Sequence, residues 1–168
     1  TDTYRPDIVL FINGIPMVII ECKSPKIKHP VDQAIEQHIR NQQEDGIRPL
    51  YAYSNLTLSL AVHQAQYATT ATEKDFWSVW KEKFKSDEDQ QSFNTSLQSL
   101  KNAPLPHDER TVLFRDRYRH VLAYFNQLEQ EDLTVTVQDA LIYSLCRPKR
   151  LLDLMQHFIV YDDGIKKI

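Results

Sequence analysis

The chain has 168 residues and a formal net charge of −3, with 42% hydrophobic and 26% charged residues. This composition is typical of a soluble globular protein with one ordinary domain, or with a small core and a helical extension, and no apolar run approaches the roughly 20 residues that span a bilayer. A stand-alone DNA-binding domain is usually basic, and the sequence contains no phosphate-binding G-x-x-x-x-G-K-[ST], so charge alone does not indicate nucleic acid and ATP hydrolysis is not encoded in these residues.

The two cysteines, Cys22 and Cys146, are far apart and match no metal-ligand spacing, which predicts a reducing, cytoplasmic location. The chain opens almost directly on a strand. We therefore expect it to be a piece of a longer protein whose upstream elements are missing here.

The first half predicts an α/β core. Apolar runs over Asp7–Ile12 and Pro16–Glu21 flank Asn13-Gly14 and predict a β-hairpin. The stretch VDQAIEQHIRNQQ has apolar residues at helical spacing, with His38 on the same stripe as a core histidine, and Asp45-Gly46 ends that helix. RPLYAYSNLTLSLAV then predicts two short strands around a Ser54-Asn55 turn.

The second half predicts mainly helices. Thr72 and Asp75 resemble a capping box before a helical stripe of Phe76, Trp80 and Phe84, and Ser86–Gln91 reads as a loop or domain edge. Further apolar residues predict one long amphipathic helix: Phe114, Tyr118, Val121, Leu122, Phe125 and Leu128. A last helix over Leu151–Phe158 precedes a turn at Asp163-Gly164.

The hairpin carries charged residues at its ends, where an apolar strand pair has little use for them. Asp7 precedes the first strand, and Glu21 and Lys23 share a face at the end of the second. A two-residue loop would pair Asp7 with Ile20 and place the two carboxylates on opposite faces. A three-residue loop moves the register by one and brings the two carboxylates onto one face. If they act together, the hairpin is therefore expected to have a loop with an odd number of residues.

Two carboxylates and the backbone carbonyl of Cys22 form a hard oxygen site of the kind that Mg²⁺ accepts. Such an ion lowers the pKa of bound water and stabilises charge on a phosphodiester, and Lys23 beside it can orient the water or neutralise the transition state. The alternative is that Asp7 and Glu21 are solvated charges at strand ends.

The sequence has RPD, then an apolar hairpin and then ECK, and this order resembles the PD-(D/E)xK nuclease motif. The stretch RPDIVLFINGIPMVIIECKSP resembles more narrowly the nuclease domain of type I restriction endonuclease R (motor) subunits, and the similarity continues through FWSVWK to RLLDLMQHFIVYDDGIKKI, the passage before the family's motor. The resemblance implies a restriction-endonuclease-like α/β fold, a mixed sheet flanked by helices. It implies a nuclease core over 1–85, and a mostly helical extension over 86–168 that leads to absent motor domains.

By matching position, the resemblance implies Asp7 and Glu21 as metal ligands, with the Cys22 carbonyl, and Lys23 as the catalytic lysine. It implies Mg²⁺-dependent cleavage of double-stranded DNA by a subunit that acts with modification (methyltransferase) and specificity subunits. ATP would serve the helicase-like motor domains of the whole subunit and would not bind this fragment, and no membrane is involved.

Members of this nuclease branch usually carry Gln-x-x-x-Tyr on the helix after the second strand. Here Gln37 is followed by Asn41, so Gln37 is an accessory site candidate without the aromatic hydroxyl. Two other functions stay open: a non-catalytic, nuclease-like docking module for the motor or methyltransferase, and another PD-(D/E)xK nuclease such as a repair enzyme.

Overall fold

The computed structural model describes residues 4–116, 118–162 and 165–168. The elements in these ranges are, in chain order, β1 (Ile8–Ile12), β2 (Ile15–Cys22), α1 (Pro30–Asn41), α2 (Arg48–Tyr53), β3 (Leu56–Ala61), β4 (Gln64–Ala68), α3 (Asp87–Lys101), α4 (His107–Leu113), α5 (Leu122–Leu128), α6 (Val137–Cys146), α7 (Pro148–His157), β5 (Val160–Asp162) and β6 (Ile165–Lys167). Among them, no helix has the length and apolar character needed to cross a membrane.

A mixed four-stranded sheet forms the centre of the fold, in the order β1-β2-β3-β4. β1 and β2 are antiparallel, β2 and β3 are parallel, and β3 and β4 are antiparallel. The parallel pair requires a crossover, which α1 and α2 provide. β5 and β6 form a separate two-stranded ribbon.

Alternate residues of the central strands point to two different apolar layers, as a period of two requires. One layer joins the sheet to α6 and α7 through Val18, Ile20, Leu56, Leu58, Leu60, Ala65, Leu141, Leu145, Leu151 and Leu154. The other joins it to α1 through Val31, Ile35, Ala61, Ala68 and Trp77. Glu21 has the parity of the second layer, so its side chain points to α1.

The contacts divide the chain into two compact units, one from the described parts of 1–82 and 136–168, the other from 83–135. In the second unit, Ser86 is the N-cap of α3, and its side chain accepts a hydrogen bond from the Asp89 N–H at 3.3 Å. Phe114 and Phe125, just after α4 and within α5, pack with ring centroids 4.9 Å apart. The division into a nuclease core over 1–85 and an extension over 86–168 stays a prediction.

The α/β class, with a mixed sheet flanked by helices and a mostly helical C-terminal part, is confirmed and is consistent with a restriction-endonuclease-like core. The hairpin, the helix after it and the last helix form where the sequence predicts them. The predicted turn at Asp163-Gly164 lies outside the described residues.

The first strand predicted in RPLYAYSNLTLSLAV is wrong, since Arg48–Tyr53 forms α2. Its alternating pattern imitates a strand, but Pro49 lies in the first helical turn and Tyr51 is buried, 2% exposed. The fourth strand of the sheet comes later, at β4.

Three predictions in the second half are also wrong. The helix predicted over Phe76–Phe84 is a 3-10 turn, Lys74–Phe76, followed by extended chain in which Trp77 is buried and Phe76 is 71% exposed. Of the two alternatives for Ser86–Gln91, the loop is wrong, because α3 begins at Asp87 with Ser86 as its N-cap, and the domain edge stays a prediction. The long helix predicted over 114–128 is not formed: α4 ends at Leu113, and the described residues of that range contain a 3-10 turn at Arg119–Val121 and then α5. Phe114 and Phe125 pack on each other rather than along one helix.

Candidate active site

The hairpin turn has two residues, so the predicted odd loop is wrong. Ile12 pairs with Ile15, and Asn13 and Gly14 both have positive φ, 51° and 80°, as the type I′ turn favoured by Asn-Gly requires. The register nevertheless shifts by one between Leu10 and Phe11.

The shift comes from a β-bulge at Met17. Phe11 pairs with Pro16 and Leu10 with Val18, which leaves Met17 without a partner in β1. Pro16 has no N–H to give to the ladder, and a bulge is one of the few strand positions that tolerate proline. Ile8 therefore pairs with Ile20, and the register continued by one residue places Asp7 opposite Glu21.

Asp7 is held against the end of β2 by a backbone hydrogen bond. The Cys22 N–H donates to Asp7 Oδ2 at 2.8 Å, which fixes the carboxylate beside the peptide that joins Glu21 to Cys22. The Cys22 carbonyl belongs to the next peptide, and the Lys23 N–H after it donates to the Leu60 carbonyl at 2.9 Å in the β2–β3 ladder. The structure thus gathers the four predicted positions at one end of β2.

Glu21 is completely buried, with 0% of the residue exposed. Burial and then the charge of Asp7 raise the pKa of its carboxyl to about 8, while the charge of Lys23 acts to lower it. A buried carboxyl beside a second carboxylate is costly for folding unless a cation or a proton compensates. Glu21 is therefore not a solvated charge at a strand end, whereas Asp7 is exposed.

Gln37 links the acid to the amine from α1. Its Nε2 donates to Glu21 Oε2 at 2.7 Å, and its Oε1 accepts from Lys23 Nζ. The structure therefore places the accessory candidate in contact with two of the predicted site residues, and it holds Lys23 on the same face as Glu21.

Asn41, at the end of α1, contacts the other oxygen of Glu21, with Nδ2 3.3 Å from Oε1. Sequence reasoning treated this position only as a missing tyrosine. The spacing could have indicated a role for Asn41, because residues four apart on a helix share one side and Gln37 was already a candidate.

The residues present fit a divalent cation. Asp7 and Glu21 supply carboxylate oxygens that face each other, and like charges in one site favour a cation between them. Each Glu21 oxygen accepts one amide hydrogen bond and keeps a second lone pair free for a metal. Within the described ranges, no three His, Cys, Asp or Glu side chains group as metal ligands, so the side-chain donors at this site are the two carboxylates.

Residues 1–79 match the family described as Type I restriction enzyme R protein N terminus, which confirms the predicted resemblance. A relative from Methanocaldococcus jannaschii, named "Putative type I restriction enzyme MjaIXP endonuclease subunit", is 27% identical over 158 residues. That alignment covers 94% of this chain and 12% of the relative, so the chain spans about one eighth of the protein it matches. No solved structure gives a significant match.

Proposed function

We propose that the chain is the nuclease part of a type I restriction enzyme R subunit and cleaves double-stranded DNA with Mg²⁺. The observation that carries the proposal is the fully buried Glu21 beside Asp7, with Lys23 on the same face. The family of residues 1–79 and the name of the relative support a restriction nuclease. The same two findings favour a restriction nuclease over a repair nuclease with the same motif.

Asp7, Glu21 and the Cys22 carbonyl would hold the metal. Mg²⁺ bound there supplies a water of lowered pKa and neutralises charge on the scissile phosphate. The Cys22 N–H fixes Asp7, and the amides of Gln37 and Asn41 hold both oxygens of Glu21 in one orientation. These contacts pre-organise the ligands before the metal arrives.

Lys23 would act on the substrate rather than on the metal. Its ammonium donates to Gln37 Oε1, so the amine is oriented along the same face as Glu21 with further N–H donors to offer. Those donors can orient the attacking water or bind a non-bridging phosphate oxygen as charge develops.

The chain would work as part of a larger assembly, in the cytoplasm. Because the relative is about eight times longer, we propose that ATP-driven motor domains follow in the same subunit, and that modification and specificity subunits select the DNA. The net charge of −3 agrees with a domain that does not carry most of the DNA affinity.

The test is plasmid cleavage by the whole subunit with its partner subunits, ATP and Mg²⁺. Asp7→Asn, Glu21→Gln and Lys23→Met should each lower cleavage by at least about 100-fold with ATP hydrolysis retained. Exposed residues provide matched controls: Asp45→Asn, Glu44→Gln and Lys81→Met should cut like the wild type. Undiminished cutting by all three site variants would refute the nuclease proposal and leave the docking module.

A further inference from the structure

A buried chain of hydrogen bonds runs from the central sheet to Glu21 behind the candidate site. It consists of His38, Tyr51 and Asn41, which are 0%, 2% and 1% exposed. His38 Nε2 lies 3.0 Å from the Leu58 carbonyl oxygen, and His38 Nδ1 lies 2.9 Å from the Tyr51 hydroxyl. Asn41 then reaches Glu21 Oε1 at 3.3 Å.

The direction of every bond in this chain follows from its first member. The Leu58 carbonyl can only accept, so His38 Nε2 carries the proton. Burial lowers the pKa of His38 to about 4, so the ring is neutral near pH 7 and Nδ1 is an acceptor. The Tyr51 hydroxyl must therefore donate to Nδ1.

With its only hydrogen given to His38, the Tyr51 hydroxyl oxygen can only accept a further hydrogen bond. The side-chain amide of Asn41 faces this oxygen. Burial raises the pKa of the Tyr51 hydroxyl, as does the charge of Glu21, whereas the hydrogen bond from Asn41 lowers it, as a donor does. Asn41 Oδ1 is buried without a partner, so the amide nitrogen makes the contacts. Asn41 Nδ2 donates to Glu21 Oε1 at 3.3 Å, and the lowering effect of Asn41 on the pKa of Tyr51 indicates that the same amide also faces the Tyr51 hydroxyl.

We propose that Asn41 is a positioning residue for Glu21, and that the Leu58–His38–Tyr51 chain fixes its amide so that an N–H faces the carboxylate. This inference rests on the proposed function, in which Glu21 is a metal ligand. A flipped amide would turn Oδ1 toward both Tyr51 and Glu21 and lose both hydrogen bonds at once. His38 and Tyr51 would thereby orient Glu21 through Asn41 without contacting Glu21 themselves.

Mn²⁺ affinity of the full chain, measured by electron paramagnetic resonance without ATP, tests the inference. Tyr51→Phe keeps the ring but frees the amide to flip, and Asn41→Leu removes the donor. Each should weaken Mn²⁺ binding by roughly 10-fold, the usual effect of losing a residue that orients a ligand. Tyr53→Phe, on the same helix but 69% exposed, should bind as the wild type does.

The double variant separates positioning from general damage to the fold. Because Tyr51 acts through Asn41, Asn41→Leu with Tyr51→Phe should bind Mn²⁺ no more weakly than Asn41→Leu alone, whereas independent damage would multiply the losses. In the whole subunit, Tyr51→Phe should raise the Mg²⁺ concentration that gives half-maximal cleavage and leave the saturated rate nearly unchanged.

The outcomes distinguish this inference from the proposed function. Wild-type chain that binds no Mn²⁺, or binds it equally well as Glu21→Gln, would overturn the metal site and with it the inference. Binding that is lost in Glu21→Gln but unaltered in Tyr51→Phe would overturn the inference alone. Tyr51→Phe retains the buried ring, so this arm reads out even where Asn41→Leu fails to fold.

Discussion

Raising the pH of the metal-free chain from 6.5 to 8 is expected to lower its free energy of unfolding by about 2 kcal/mol. Glu21 keeps its proton in the folded state up to a pKa of about 8, whereas the carboxyl of an unfolded chain has a pKa near 4.5. In this interval the folded state binds one more proton than the unfolded state. Each pH unit therefore costs about 1.4 kcal/mol of stability.

Below pH 6.5, His38 opposes this effect. Burial lowers its pKa from 6.5 to about 4, so here the unfolded state binds the additional proton and stability falls as the pH falls. Between pH 4.5 and 6.5 the contributions of Glu21 and His38 have opposite signs and similar slopes. Considering these two groups, the stability of the wild type should be nearly flat in that range and decline only above it.

Glu21→Gln separates the two groups. Without the acid, stability should rise by about 2 kcal/mol from pH 4.5 to 6.5 through His38 and then stay nearly level to pH 8. Urea unfolding followed by tryptophan fluorescence measures this, because both tryptophans lie in the unit that holds the site and Trp77 is 5.3 Å from His38 between ring centroids. Glu44→Gln, at an exposed position, serves as the control. Parallel curves for wild type and Glu21→Gln between pH 6.5 and 8 would refute the reasoning.

Three further outcomes are expected. Mg²⁺ at about 100 times its dissociation constant should stabilise the wild type by about 3 kcal/mol at pH 8 and leave Glu21→Gln unaltered, as thermal unfolding would show. Lys23→Met should abolish cleavage and retain Mn²⁺ binding, since the lysine is not a ligand; loss of binding as well would contradict the role given to it. Gly46→Ala should destabilise the chain by about 1–3 kcal/mol in urea, because its Cβ would lie 2.5 Å from the Asn41 carbonyl oxygen. Exposed Ala52→Gly in the short α2 should cost less, about 1 kcal/mol.

The strands and the helix that hold the site were predictable because they repeat a pattern. Val18, Ile19 and Ile20 are buried in the centre of the sheet, and a run of β-branched residues between turn signals is typical of such a strand. Val31, Ala34, Ile35 and His38 bury one side of α1 at helical spacing, and the prediction of a satisfied core histidine at 38 is confirmed by bonds at both ring nitrogens.

The contribution of α2 could not be predicted in the same way. Its six residues alternate like a strand, and besides Pro49 in the first turn the helix depends on the tertiary contact of Tyr51 with His38. The residue pair is thirteen positions apart and carries no local signature. For the same reason, sequence reasoning found the ligand-bearing strand and missed the buried chain that orients Glu21 through Asn41.

The pairing of the two carboxylates lies between these cases. Thirteen residues lie between Asp7 and Glu21, and each antiparallel pair between them uses two, so an odd number must stay unpaired if the two carboxylates face each other. The sequence therefore determines that this number is odd but not how the unpaired residues are distributed. A three-residue loop satisfies the condition as well as a two-residue turn with a bulge. The chain uses the second solution, with Asn13, Gly14 and Met17 unpaired. Pro16 was the available signal, because a proline inside a strand indicates an edge or a bulge. Since either solution places the same two side chains on one face, the constraint that the hairpin satisfies is the meeting of Asp7 with Glu21, and the turn type is secondary to it.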